Sequence, residues 1–225
     1  MCFKPCTHVI VDLDGTFLDT EDIYMRIYQK YAEMQNRCLT WRLREKVIGK
    51  SAKQALLFLS KELNFELIDF EHFSEEELAG AEAFKKCQIK PGAERLIRHF
   101  HENGIPIGLV AHTDPSVFRW KTLQYEHLIE MFYVVNNELQ DSSLTDGYMN
   151  CATRIGALNN LEQVLIIDDC ADAIPAAERI GMQIVSIPDA RLDKSLFEKA
   201  HRVHYSLYDF RPEEFGLPSY YTGES

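Results

Sequence analysis

H-V-I-V-D-L-D-G-T, residues 8–16, is the stretch that decides the fold. His8 to Val11 is a short apolar run that stops abruptly at Asp12. Polar residues and a glycine follow at once. A parallel strand buried on both faces reads this way where it opens into a functional loop. The pattern returns at Val164–Ile167, which stops at Asp168-Asp169. Ile105–Ala111, Phe132–Val135 and Gln183–Ile187 read as further strands. Ala93–Glu102, Pro115–Tyr125 and Ala173–Ile180 read as the helices between them. Strands alternating with helices predict an α/β fold, a Rossmann-like parallel sheet with right-handed crossovers.

The stretch from about residue 20 to 88 departs from that alternation. Helical spacing covers Thr20–Met34, Ala52–Leu63 and Glu75–Lys86, with no convincing strand among them. The turn Lys90-Pro91-Gly92 marks the return to strand and helix. The expected organisation is therefore a core domain, 1–18 and 89–225, with a small all-helical cap domain, 19–88, inserted after the first strand. Phe215, Leu217, Tyr220 and Tyr221 in the tail are expected to pack on the body.

Composition narrows the function. Among 225 residues, 46% hydrophobic and 26% charged content is that of a folded globular protein. A net charge of −11 with no dense basic stripe argues against a nucleic-acid partner, because phosphate backbones reward clustered Lys and Arg. Residues 1–11 are too short and too interrupted an apolar stretch for a signal peptide or membrane span. The chain is expected to be cytoplasmic, monomeric and without a membrane partner. Its six cysteines, widely scattered, are expected to be free thiols.

The chemistry should sit at the strand tips, since open α/β sheets bind ligands beyond the carboxyl ends of their strands. Asp12 and Asp14 are two apart on an extended chain and can face one substrate, with Gly15 allowing the sharp turn. Asp168 and Asp169 end the other strand. Crowded carboxylates raise one another's pKa unless a cation neutralises them. Mg²⁺, which prefers a few carboxylate oxygens, water and a substrate phosphate, suits such a site. The plainer alternative is that these acids only cap helices and shape turns.

These residues carry a resemblance. D-L-D-G-T at 12–16 followed by F-L-D-T-E at 17–21, and D-D at 168–169, resemble motifs one and four of the haloacid-dehalogenase-like hydrolases. I-G-K at 48–50, P-G-A-E-R-L-I at 91–97, G-I-P-I at 104–107 and F-G-L-P-S-Y at 215–220 resemble the pseudouridine-5′-phosphatase branch. The resemblance implies a phosphatase of small phosphorylated metabolites, either a nucleoside monophosphate or a sugar or polyol phosphate. It implies Asp12 as nucleophile, Asp14 as general acid and base, and Asp12, the backbone carbonyl of Asp14 and Asp169 as holders of Mg²⁺. Asp168 would be a further ligand or support, and Lys50 would sit on the substrate-facing loop of the cap.

Two positions depart from the family pattern. The residue closing the second strand, usually Thr or Ser, is Ala111, followed by His112 and Thr113. These two are the candidates for contacting phosphate in its place. The usual lysine of motif three has no counterpart at Ser142–Asp146, and no Lys or Arg occurs between Lys121 and Arg154. Arg154 is the nearest downstream cation. A second reading therefore stands beside the enzyme: a pseudo-phosphatase that keeps the fold as a binding or regulatory module. The sign that would favour it is a nucleophile with no Lys or Arg beside it. A phosphoglucomutase-like transferase would share the cap and motif one, but it must shield its phosphorylated aspartate from water, and nothing in the sequence indicates that capability.

Overall fold

A computed structural model describes residues 3–67, 81–137 and 143–220. Within them lies one sheet of six strands, all parallel, in the order β3-β2-β1-β4-β5-β6. The strands are β1 His8–Asp12, β2 Ile107–Val110, β3 Val134–Asn136, β4 Val164–Asp168, β5 Gln183–Ser186 and β6 Arg202–Val203. Chain order reverses between β1 and β4. Connections after these two strands leave in opposite directions, which opens a crevice at their carboxyl ends. Asp12 and Asp168 are the last residues of those strands.

Burial explains why these segments became strands. Val9, Ile10, Val11, Leu165, Ile166 and Ile167 are all inaccessible to solvent. Each such side chain contributes about 1.5–3 kcal/mol by leaving water. Helices cover both faces: α5 Ala93–Glu102, α6 Pro115–Thr122, α7 Glu126–Ile129, α8 Leu144–Arg154 and α9 Ala173–Ile180. In α5 the buried residues are Ala93, Leu96, Ile97 and Phe100, one stripe at helical spacing.

The regular elements described between β1 and α5 are all helices: α1 Glu21–Met34, α2 Trp41–Glu45, α3 Ala52–Leu63 and α4 Ala81–Phe84. The expected helix from Glu75 has its first six residues outside the described ones. Ile23, Ile27, Tyr28 and Tyr31 form the buried face of α1. A reciprocal cap between Ser51 and Gln54 starts α3. The chain leaves and re-enters the sheet side by side. Asp19 N–H donates to the Gln88 carbonyl at 2.8 Å, and Lys90 N–H to that of Phe17 at 2.9 Å. Lys90 also pairs with Asp19 at 3.3 Å.

Four described elements differ from the sequence expectation. α2, α7 and β6 are too short to show a period. α8 buries Gly147, Tyr148, Cys151 and Ala152, a face too small and too weakly apolar to stand out. The tail packs as expected where it is described. Phe215 and Leu217 are buried, and Phe215 stacks on Phe3 at 4.7 Å. Tyr221 lies outside the described residues. Cys6, Cys38, Cys87, Cys151 and Cys170 are free thiols. Among the described residues no helix is long and apolar enough to cross a membrane.

Candidate active site

Beyond β1 the chain makes a tight turn. Gly15 N–H donates to the Leu18 carbonyl at 2.8 Å, and Leu18 N–H returns to that of Leu13 at 2.8 Å. Gly15 has φ +86°, and a Cβ there would lie 2.1 Å from Asp169 Oδ2. Only a residue without a side chain lets the two acid-bearing loops touch. Asp12, Asp14, Asp168 and Asp169 are brought to one place in this way.

Their environments differ. Burial first, then the charges of Asp168, Asp169 and Asp14, raise the pKa of Asp12 well above the ordinary carboxylate value. Asp169 is raised likewise, by burial first and then by Glu21 and Asp168. Asp168 is buried but satisfied. It accepts the Tyr148 hydroxyl at 2.6 Å on one oxygen and Cys170 N–H at 2.7 Å on the other. Burial lifts it to about 6, against the pull of those two donors.

Asp14 Oδ1 and Asp169 Oδ2 are buried oxygens with no hydrogen-bond partner. Orphaned carboxylate oxygens opposite an uncompensated acid call for a cation, and an all-oxygen donor set suits a hard one. Among the described residues no three acidic, thiol or imidazole side chains form a ready-made ion cage. Mg²⁺ is bound by one or two carboxylates and completes its shell from water and substrate phosphate. The residues fit the ion that the sequence implies.

Sequence reasoning missed Lys121, on α6. It is wholly buried, and its Nζ donates to Asp14 Oδ2 at 2.9 Å and to Thr113 Oγ1 at 3.1 Å. The Tyr24 hydroxyl is its third acceptor, and the rings of Tyr24 and Phe84 lie within 5 Å of the ammonium. A buried ammonium is tolerable only with such a full set of partners. Thr113 is thus bound to a lysine. Arg154, by contrast, reaches the Val135 carbonyl, and the segment from Ser143 to Asp146 caps α8. Ser142 lies outside the described residues. Among those described, no Lys or Arg forms an ion pair with Asp12.

A narrow cleft runs from Asp12 and Asp14 to the helical segment, with about 40 Å³ open to the centre of a water-sized molecule. His112 and Lys50 line it, together with Tyr24, Tyr28, Glu21 and Arg44. Lys50 is paired with Asp172 at 2.7 Å. Glu21 and Arg44, also missed from sequence, form a buried ion pair. Arg44 Nη2 lies 2.9 and 2.8 Å from the two carboxylate oxygens. The guanidinium faces the rings of Tyr24 and Tyr28 at 5.5 and 5.6 Å.

Comparison with known proteins follows the same lines. Residues 6–181 match the family model described as haloacid dehalogenase-like hydrolase. Over 95% of its length the chain is 35% identical to (DL)-glycerol-3-phosphatase 1, mitochondrial, of Arabidopsis thaliana, covering 74% of that protein. It is 30% identical to the probable pseudouridine-5′-phosphatase of Drosophila melanogaster, covering 96% of each. Among solved structures, the β-phosphoglucomutase of Clostridium difficile superposes with a TM-score of 0.77 at 19% identity. It covers 93% of this chain and 97% of that one, a likeness of fold alone.

Proposed function

The chain belongs to the haloacid dehalogenase-like hydrolases, and from that premise we propose that it is a Mg²⁺-dependent phosphatase of small phosphomonoesters. The observation that carries this reading is the meeting of Asp12, Asp14 and Asp169 at the sheet's reversal point, with a buried lysine on Asp14.

In the proposed reaction Asp12 attacks phosphorus and the ester P–O bond breaks. Asp14 protonates the departing alkoxide. Water then attacks the aspartyl-phosphate, Asp14 takes its proton, and phosphate leaves with Asp12 restored. Asp12, the backbone carbonyl of Asp14 and Asp169 would hold Mg²⁺, which when bound neutralises charge on the phosphoryl oxygens, leaving the Asp14 carboxyl for proton transfer. Asp168, occupied by Tyr148 and Cys170, would steady the loop that carries Asp169. Lys121 fixes Asp14 and places a buried positive charge beside the proposed acid. Residues 19–88 would act as a cap, whose Lys50, Arg44 and Tyr28 meet the leaving group.

A second reading, a binding module without turnover, is favoured by one observation: the cation lies against Asp14 and none pairs with Asp12. Phosphate release decides between them. The panel would include glycerol phosphate, sugar phosphates and pseudouridine 5′-phosphate, with Mg²⁺, for wild type and Asp12→Asn. Metal-dependent release absent from the mutant is expected. Equal, background release from both folded proteins would leave only the binding reading.

A further inference from the structure

The loop 188–193, which follows β5, reaches across to the helical segment at points far away in sequence. Arg191 Nη1 lies 2.6 Å from Asp22 Oδ1, in the first turn of α1. The same guanidinium sits 3.7 Å from the ring centre of Trp41, the first residue of α2. Asp189 holds it from behind, through Nε at 2.8 Å and Nη2 at 2.5 Å. Two residues on, Asp193 N–H donates to Glu45 Oε2 at 3.0 Å, on the last residue of α2. One loop therefore grips the start of α1 and both ends of α2.

Those elements carry the buried pair in the cleft. Glu21 precedes Asp22 directly, and Arg44 lies between Trp41 and Glu45. An isolated exposed ion pair contributes almost nothing. Here one guanidinium is shared by two carboxylates and lies on an indole face, and a fourth contact comes from the loop backbone. Such a network is the case in which exposed charges do hold elements together.

We propose that loop 188–193 is a latch, with Arg191 as its positioning residue. It holds α1 and α2 against the sheet's end and so keeps Glu21 and Arg44 aimed into the cleft. Its kinetic consequence rests on the phosphatase reading; the mechanical one does not.

The test is amide hydrogen exchange on the full chain, comparing wild type, Arg191→Lys and Arg191→Ala. Expected is exchange about five- to tenfold faster at residues 22–25 and 41–48 in Arg191→Ala, with β1 and β4 unchanged. Arg191→Lys, which keeps the charge but not the forked geometry, falls between. On a phosphomonoester that is turned over, KM rises by a similar factor while kcat holds within about twofold. Unchanged exchange at 41–48 overturns the latch. So does faster exchange everywhere, β4 included, which would make Arg191 a general support of the fold. If no phosphomonoester is turned over, the phosphatase reading fails separately and the exchange pattern still decides the latch.

Discussion

At the scale of single residues, the strand-tip acids are set against stability. A carboxyl whose folded pKa is raised binds more protons folded than unfolded. Its cost therefore begins as pH rises past about 4 and is complete above the folded value. For Asp168 that value is about 6, and Asp12 and Asp169 are displaced in the same direction. At pH 7 without metal, Asp12→Asn should therefore raise the thermal midpoint by about 3–6 °C, although it removes the proposed nucleophile. Adding MgCl₂ should raise the midpoint of wild type more than that of the mutant. Calorimetry showing a lower midpoint for Asp12→Asn would sink this account. Lys121 is the complementary case. Lys121→Met leaves Asp14 without its partner, and turnover should fall about 10²- to 10³-fold. Lys121→Arg should recover part of it. A Lys121→Met enzyme at near wild-type rate would show that the charge on Asp14 is not needed.

At the scale of elements, much of the architecture was legible because the strands are wholly buried and several helices have clear ends. Ala52–Leu63, Ala93–Glu102 and Ala173–Ile180 begin and stop where the sequence predicts. Lys121 was not legible as a site residue, because the search for a cation ran downstream of it. One signal was present: Lys121 stands four residues after Val117, on the buried face of α6. A lysine on an apolar stripe is one that needs a partner inside. Arg44 gave no such signal, since α2 is only five residues long. The β1 turn offers the sharpest test at this scale. Gly15→Ala puts a methyl group into Asp169 and also strains a positive φ. It should cost at least about 2 kcal/mol in urea unfolding. Gly104→Ala, with φ +66° and nothing within 4 Å, should cost only the backbone strain, about 1 kcal/mol. Equal losses would mean that the two acid loops do not meet as described.

At the scale of the whole molecule, two opposed pH dependences act at different parts of one sheet. The strand-tip carboxylates destabilise the metal-free chain as pH rises. At the far edge, beside β6, His204 is lowered by burial, with Glu214 and Asp209 offsetting part of the shift. His204 Nε2 is buried without a partner, so a proton added there has nothing to bond. The unfolded chain takes up that proton near pH 6.5. A lowered folded pKa therefore removes stability as pH falls below that point, and none above it. Without metal the two effects compete below about pH 6.5, and above it only the acids act, so the urea midpoint should fall as pH rises from about 6.5 to 7.5. With Mg²⁺ bound the acids are held as carboxylates, so His204, with His201 and His8 lowered by burial in the same direction, should set the slope and the midpoint should climb with pH. The gap between the Mg²⁺ and EDTA curves should widen steadily as pH rises. His204→Asn should make the Mg²⁺ curve shallower below about pH 6.5 and leave the gap above it intact. Parallel curves with and without Mg²⁺ would mean that the acids at the strand tips do not hold the ion.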